Sequence, residues 1–128
     1  MKKLIMVVDD DPEVLTLVKK MLGRDSSYIV LGKTTASAVL NVADDINVDL
    51  FLVDVMMNDI NGIELCKQLR NKTLSQKSPI VMFSANDKEQ IRQQALSAGA
   101  NLFLPKREMH SRLIPTVNKM LKHEVVQC

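Results

Sequence analysis

Long apolar runs are the first thing this sequence lacks. The longest fall far short of the roughly 20 residues that a membrane-spanning helix needs, so no membrane segment is expected. Lys2 and Lys3 before "LIMVV" imitate the start of a signal peptide. That run is too short, and it ends in acid rather than in a small-residue cleavage site. The protein is therefore expected in the cytoplasm. Cysteine is scarce: Cys66 and Cys128 offer neither a disulfide framework nor metal-ligand spacing. Cys66 reads as a small core hydrophobe. The two histidines, His110 and His123, have no metal-ligating company. The net charge is only +2, with both signs spread along the chain, which excludes the basic stripe of a nucleic-acid binder. Basic residues near the last helix (Lys106, Arg107, Arg112, Lys119 and Lys122) read first as a solvated face and only second as a surface for an acidic partner.

What is present is the material of one ordinary domain: 128 residues, 46% of them apolar. Short apolar runs alternate with longer segments of helical period. "LIMVV" (4–8), "YIVLG" (28–32), "DLFLV" (49–53), "PIVMF" (79–83) and "NLFLP" (101–105) have strand length and are apolar on both faces. A buried parallel sheet requires such runs. The first helix starts at Asp11, an N-cap, with Pro12 at its first position and Val14, Leu15, Val18, Met21 and Leu22 on one face. Further helices are predicted over 37–46, over 62–72 with Ile63, Cys66, Leu69 and Leu65 inward, over 87–100 with Gly99 as its cap, and over 109–123. Pro115 suits the last helix only near its first turn. Strand–helix alternation of this kind implies a parallel α/β sheet, doubly wound, with right-handed crossovers and helices on both faces.

The informative residues are those that follow the strands. Asp9 and Asp10 follow the first, Asp54 the third, Ser84 the fourth and Lys106 the fifth. In an open parallel sheet all carboxyl ends lie along one edge, where ligands bind. Taken singly, each residue has a plain reading as a cap, a turn or a surface charge. Taken together, three carboxylates, a hydroxyl and an ammonium at one rim make a site. Two carboxylates 4 Å apart repel by roughly 1 kcal/mol in water and about 4 kcal/mol at an effective dielectric of 20. Such a cluster either raises a pKa or holds a cation. Its ligands are all oxygen, which points to Mg²⁺, a hard ion that keeps waters and shares phosphate oxygens. Lys106 and Ser84 are then the anion-binding side.

These residues carry a family likeness. From "LIMVVDDDP" through "DLFLVDVMMNDINGIEL" and "IVMFSA" to "GANLFLPK", the whole chain resembles the receiver domain of two-component response regulators. The resemblance implies a flavodoxin-like, five-stranded parallel sheet of order 2-1-3-4-5, with residues 1–128 as a single receiver domain. It implies that Asp54 is the phosphoacceptor, taking a phosphoryl group from the phosphohistidine of a histidine kinase or phosphotransfer protein. Asp10 would bind Mg²⁺ directly and Asp9 mainly through water, with Asp54 and the Met56 backbone carbonyl as further ligands. Ser84 and the Ala85 amide would bond phosphoryl oxygens, and Lys106 would pair with them. Ser84 and Phe103 would form the switch that alters the partner affinity of the face made by the fourth helix, fifth strand and fifth helix. Implied partners beyond the kinase are an output domain or downstream protein, and a second copy in a phosphorylation-dependent homodimer. The only catalysis implied is of the protein's own phosphorylation and dephosphorylation.

The chain departs from the family pattern at several positions. Asn58 stands where proline is usual, and Asn61-Gly62 where Asp-Gly usually opens the third helix, which predicts a somewhat looser but still competent loop after the third strand. Arg107 rather than proline follows Lys106, and the bond between them is expected to be trans. Met56 offers no hydrogen bond to an attacking water, so slow self-hydrolysis is expected. Two other readings stand beside the switch. One is a receiver that only mediates protein contacts, against which the complete set Asp10, Asp54, Ser84 and Lys106 counts. The other is a phosphatase or phosphotransferase that forms an aspartyl phosphate; those carry a second aspartate where Met56 stands. Met1 so close to the first strand suits a natural N-terminus. The chain is expected either to act alone or to be a receiver separated from an output domain.

Overall fold

The structure, a computed structural model, describes residues 2–122. Met1, His123 and Cys128 lie outside the described residues. Five strands alternate with five helices: β1 (Lys3–Val8), α1 (Pro12–Leu22), β2 (Tyr28–Lys33), α2 (Ala36–Ala43), β3 (Leu50–Asp54), α3 (Gly62–Arg70), β4 (Ile80–Ser84), α4 (Glu89–Ser97), β5 (Leu102–Pro105) and α5 (Met109–Lys122), with a 3₁₀ turn at Lys106–Glu108 before α5. The strands are all parallel, in the order β2-β1-β3-β4-β5. This is the doubly wound sheet that the alternation predicts.

Strand period explains the two cores. Met6, Val8, Phe51, Val53, Ile80 and Met82 point to one side, where α2, α3 and α4 cover them with Val39, Leu65, Leu69 and Ala95. Ile5, Val7, Leu50, Leu52, Val81 and Phe83 point to the other, under Val18 and Leu22 of α1 and Leu113 and Val117 of α5. Every residue of β3 and β4 is buried, as strands covered on both faces must be. Each fully buried large aliphatic or aromatic side chain contributes roughly 1.5–3 kcal/mol, so these central strands fix the position of whatever follows them.

The helix starts follow the sequence more closely than the ends. Asp11 caps α1 by accepting the Glu13 N–H at 3.0 Å. α2 stops at Ala43, short of the predicted 46; Asp44 and Asp45 would put two negative charges on the negative end of the helix dipole. α3 ends at Arg70 and α4 covers only Glu89–Ser97. Leu65 is fully buried as expected, while Ile63, also expected inward, is only half-buried. Pro115 lies seven residues into α5 rather than near its first turn. Its missing N–H removes the bond to the Ser111 carbonyl, at a place where both residues are exposed to solvent.

One side chain ties the loops at the far end of the sheet. Arg70 donates to the carbonyls of Gly99 (2.8 and 3.0 Å), Ser78 (2.7 Å) and Ser75 (3.2 Å), and to Asn101 Oδ1 (2.9 Å). Gly99 has φ +115°, and a Cβ there would meet the Arg70 side chain at 2.8 Å. Glycine is needed at that turn on both counts.

Candidate functional site

Parallel pairing delivers the acidic residues to one edge. β1 lies beside β3, and β3 pairs with β4 so that Asp54 is opposite Phe83. One carboxylate oxygen from each of Asp9, Asp10 and Asp54 lies within 4.8 Å of the others. Asp9 is wholly buried, Asp54 nearly so, and Asp10 half-buried. β5 pairs with β4 so that Ser84 is opposite Pro105, and the next residue is Lys106. Its Nζ lies 2.8 Å from Asp9 Oδ2 and 3.3 Å from Asp54 Oδ2. The same ammonium sits 5.6 Å from the centroid of the Phe83 ring, a face that attracts cations.

The carboxylates are held from below by their own loops. Asp9 Oδ1 accepts the Asp11 N–H at 2.8 Å and Asp54 Oδ1 accepts the Met56 N–H at 3.3 Å. Asp9 Oδ2 is different. No backbone N–H reaches this buried oxygen; its contact is the ion pair with Lys106. This wholly buried oxygen has the Lys106 ammonium as its cationic neighbour. Beside two further carboxylates, it fits a hard divalent cation bound through oxygen.

The electrostatics follow from burial and neighbours. Burial first, and then the Asp9 charge, push Asp54 up to about 6, against the downward pull of Lys106 and the Met56 N–H. For Lys106 burial works downward, but the Asp9 and Asp54 carboxylates outweigh it and the net shift is upward. The ammonium therefore stays charged at neutral pH.

Around this centre the other expected residues take their places. Ser84 is fully buried at the end of β4; its Oγ accepts the Asn86 N–H at 3.1 Å. Ala85 opens the exposed loop that follows. The Met56 side chain is exposed, two residues after Asp54. Phe103 lies deeper, paired with Met82 on β4 and packed into the core on the α3–α4 side. Asp9, Asp10, Asp54 and Lys106 are thus in one cluster, Ser84, Ala85 and Met56 stand at its rim, and Phe103 is set below it. No peptide bond among the described residues is cis, so Lys106–Arg107 is trans as expected. Arg107 leaves the site and pairs with Asp87 across the β4–α4 loop.

Sequence reasoning placed Gly62 only within the Asn-Gly pair that opens the third helix, and it missed Asp59. A Cβ on Gly62 would lie 2.1 Å from the Asp54 carbonyl oxygen, so only glycine lets α3 start against the end of β3. Asp59 reaches α2: its carboxylate accepts the N–H groups of Ala36 (3.2 Å) and Ser37 (3.0 Å) and the Ser37 hydroxyl (2.9 Å). The loop predicted to be looser is fastened at its middle. Gly62 had a signal, the Asn-Gly pair at the start of a helix. Asp59 had none, since its partners lie on another helix.

A doubly wound parallel sheet with an acidic cluster and a lysine at its carboxyl edge defines a class, and the comparisons agree. The sequence matches the profile of the response regulator receiver domain over residues 5–118, and the chain belongs to that family. It is 37% identical over 117 residues to the alkaline phosphatase synthesis transcriptional regulatory protein PhoP of Bacillus subtilis, covering 88% of this chain and 48% of the relative. The chain spans about half the length of the curated relatives it matches, 48–51% for the first three. Among solved structures it is similar to the BeF₃-activated receiver domain of Klebsiella pneumoniae RstA, at 28% identity and a TM-score of 0.84, covering 94% of this chain and 99% of that one. It is also similar to response regulator TrrA of Thermotoga maritima in complex with Mg²⁺-BeF, at 27% identity and a TM-score of 0.80, covering 93% and 99%. The protein is a signalling receiver of two-component systems. Among the described residues no helix is long and apolar enough to cross a membrane.

Proposed function

We propose that this receiver is a switch thrown by phosphorylation of Asp54. The observation that carries the reading is Lys106, which stands within ion-pair distance of both Asp9 and Asp54 at the sheet edge. Asp54 is a buried carboxylate with an upward-shifted pKa near 6, so it is mostly ionised at neutral pH and can act as nucleophile. One of its oxygens attacks the phosphorus of a phosphohistidine on a kinase or phosphotransfer protein. The P–N bond breaks, and the imidazole leaves with the bonding pair and takes up a proton. Phosphoryl transfer asks mainly for alignment and charge neutralisation. Asp9, Asp10, Asp54 and the Met56 carbonyl would hold Mg²⁺, which would supply part of that neutralisation.

The rest comes from the protein. Lys106 turns from the carboxylates to the phosphoryl oxygens. The Ser84 hydroxyl, which now accepts from Asn86, turns to donate to a phosphoryl oxygen, with the Ala85 amide beside it. Ser84 then vacates space, Phe103 moves into it, and the face of α4, β5 and α5 changes its affinity for an output domain or a downstream protein. The setting is the cytoplasm, and residues 1–128 act as one receiver unit.

Beryllofluoride, a phosphoryl mimic, tests the reading through backbone-amide NMR. Shifts are expected at Asp9, Asp10, Asp54, Ser84 and Lys106 only when Mg²⁺ is present, spreading to Phe103 and the α4–β5–α5 face. Shifts that ignore Mg²⁺, or that spare Ser84 and Phe103, contradict it.

A further inference from the structure

The loop between β3 and α3 carries Met56, whose carbonyl the cation reading uses. Two of its fastenings are internal. The Met56 N–H donates to Asp54 Oδ1 at 3.3 Å, and the Gly62 N–H donates to the Val55 carbonyl at 2.8 Å. Two more reach outside the loop: the Val55 N–H donates to the Phe83 carbonyl of β4 at 2.9 Å, which holds the loop's first residue, and Asp59 holds its far part. The first-turn N–H groups of a helix have no partner within it. At α2, Thr35 serves the Ala38 N–H at 3.1 Å, and Asp59 serves the Ala36 and Ser37 N–H groups and the Ser37 hydroxyl, at 2.9–3.2 Å. The contact therefore caps a helix and also tethers a loop.

Three features make the tether matter to the site. Asn58 leaves the loop without the backbone restriction that proline would impose. Met57 and Ile60, on either side, are only partly buried against the core, so packing holds the loop incompletely. The Asp59 carboxyl is held well below the usual carboxylate range, chiefly by the Ser37 and Ile60 N–H groups, so the tether keeps its charge throughout neutral pH. We propose that Asp59 is a positioning residue for the cation site, pinning the β3–α3 loop to the start of α2 so that the Met56 carbonyl is set beside Asp54. The inference rests on the Mg²⁺ reading above. It adds that the affinity for the ion is set partly by a residue that does not touch it.

The test is a MgCl₂ titration followed by backbone-amide NMR on wild type, Asp59→Ala, Asp59→Asn, Ser37→Ala and Thr35→Ala. Outer-shell partners typically govern metal affinity by 10–100-fold. For a tether on an exposed loop the expected rise in Kd is about threefold to tenfold in Asp59→Ala. The rise should be smaller in Asp59→Asn, which keeps one acceptor oxygen, and smaller again in Ser37→Ala. Thr35→Ala removes the other cap of α2 and is expected to lower Tm without moving Kd. An unchanged Kd in the Asp59 variants overturns the inference. So does an equal rise in Thr35→Ala, because the cause would then be the stability of α2. A wild type whose Asp9, Asp10 and Asp54 amides ignore MgCl₂ overturns the cation reading itself, and the inference with it.

Discussion

Lys106 Nζ lies 3.3 Å from Asp54 Oδ2, although 52 residues of sequence separate them. β5 and β3 are not neighbours; β4 lies between them. The contact therefore depends on the register of three strands at once, and it makes the site sensitive to both charge and packing.

Removing the ammonium tests the charge. Lys106→Ala leaves Asp9 and Asp54 buried without a cation. Breaking a buried pair in this way typically costs about 3–5 kcal/mol, and protonation of Asp54, already near 6, relieves part of it. A loss of about 1–3 kcal/mol is expected in urea melts at neutral pH with chelator present. Mg²⁺ should restore part of that loss.

Asp54 itself sets a pH dependence. Its folded pKa, near 6, lies above the ordinary 3.8. Below 3.8 both folded and unfolded states hold the proton, and the protonated group is no burden. As pH rises from about 4 to about 6 the unfolded chain releases the proton first, and stability falls by up to about 3 kcal/mol. In metal-free buffer Asp54→Asn should therefore be more stable than wild type above pH 6, by about 1–3 kcal/mol. The difference should shrink as pH falls toward 4. A gain that does not vary between pH 4 and 7 contradicts the assigned shift.

Gly62 tests the packing. Its hydrogen faces the Asp54 carbonyl, where a Cβ would stand at 2.1 Å. Gly62→Ala must push α3 away from β3, at about 1–3 kcal/mol. The phosphorylation rate should fall with it, because the displaced backbone is that of the acceptor. A control at Gly23 would not serve, since a Cβ there also meets backbone, at 2.6 Å.

Met56 tests the lifetime of the phosphorylated state. Its backbone N–H bonds Asp54, and its exposed side chain has no group to orient water. Slow hydrolysis of the acyl phosphate is expected, and Met56→Asn or Met56→Glu should shorten its half-life, followed by loss of ³²P from the protein. A wild-type half-life of only seconds contradicts this.

Much of the architecture was legible because burial on both faces leaves an unbroken apolar run. "DLFLV" and "PIVMF" announce β3 and β4, and the residues after them announce the site. Helix ends were less legible. α2 stops before Asp44 and Asp45, α4 closes through the N–H groups of Ala98, Gly99 and Ala100, and Pro115 is tolerated where Ser111 is exposed, none of which the apolar period encodes. The clamp by Arg70 and the tether by Asp59 were illegible for one reason: each acts on backbone groups at least five residues away, and the Asp59 partners lie 22–23 residues upstream. Such contacts exist only once the fold has formed. Local pattern identified the residues that follow strands but not those that hold the loops in place.

The most direct measurement is the intact mass of the protein after incubation with a small-molecule phosphodonor and Mg²⁺, alongside Asp54→Asn. The expected result is a gain of one phosphoryl group on wild type and none on the variant. No gain on wild type, or an equal gain on both, would contradict Asp54 as the phosphoacceptor and the switch built on it.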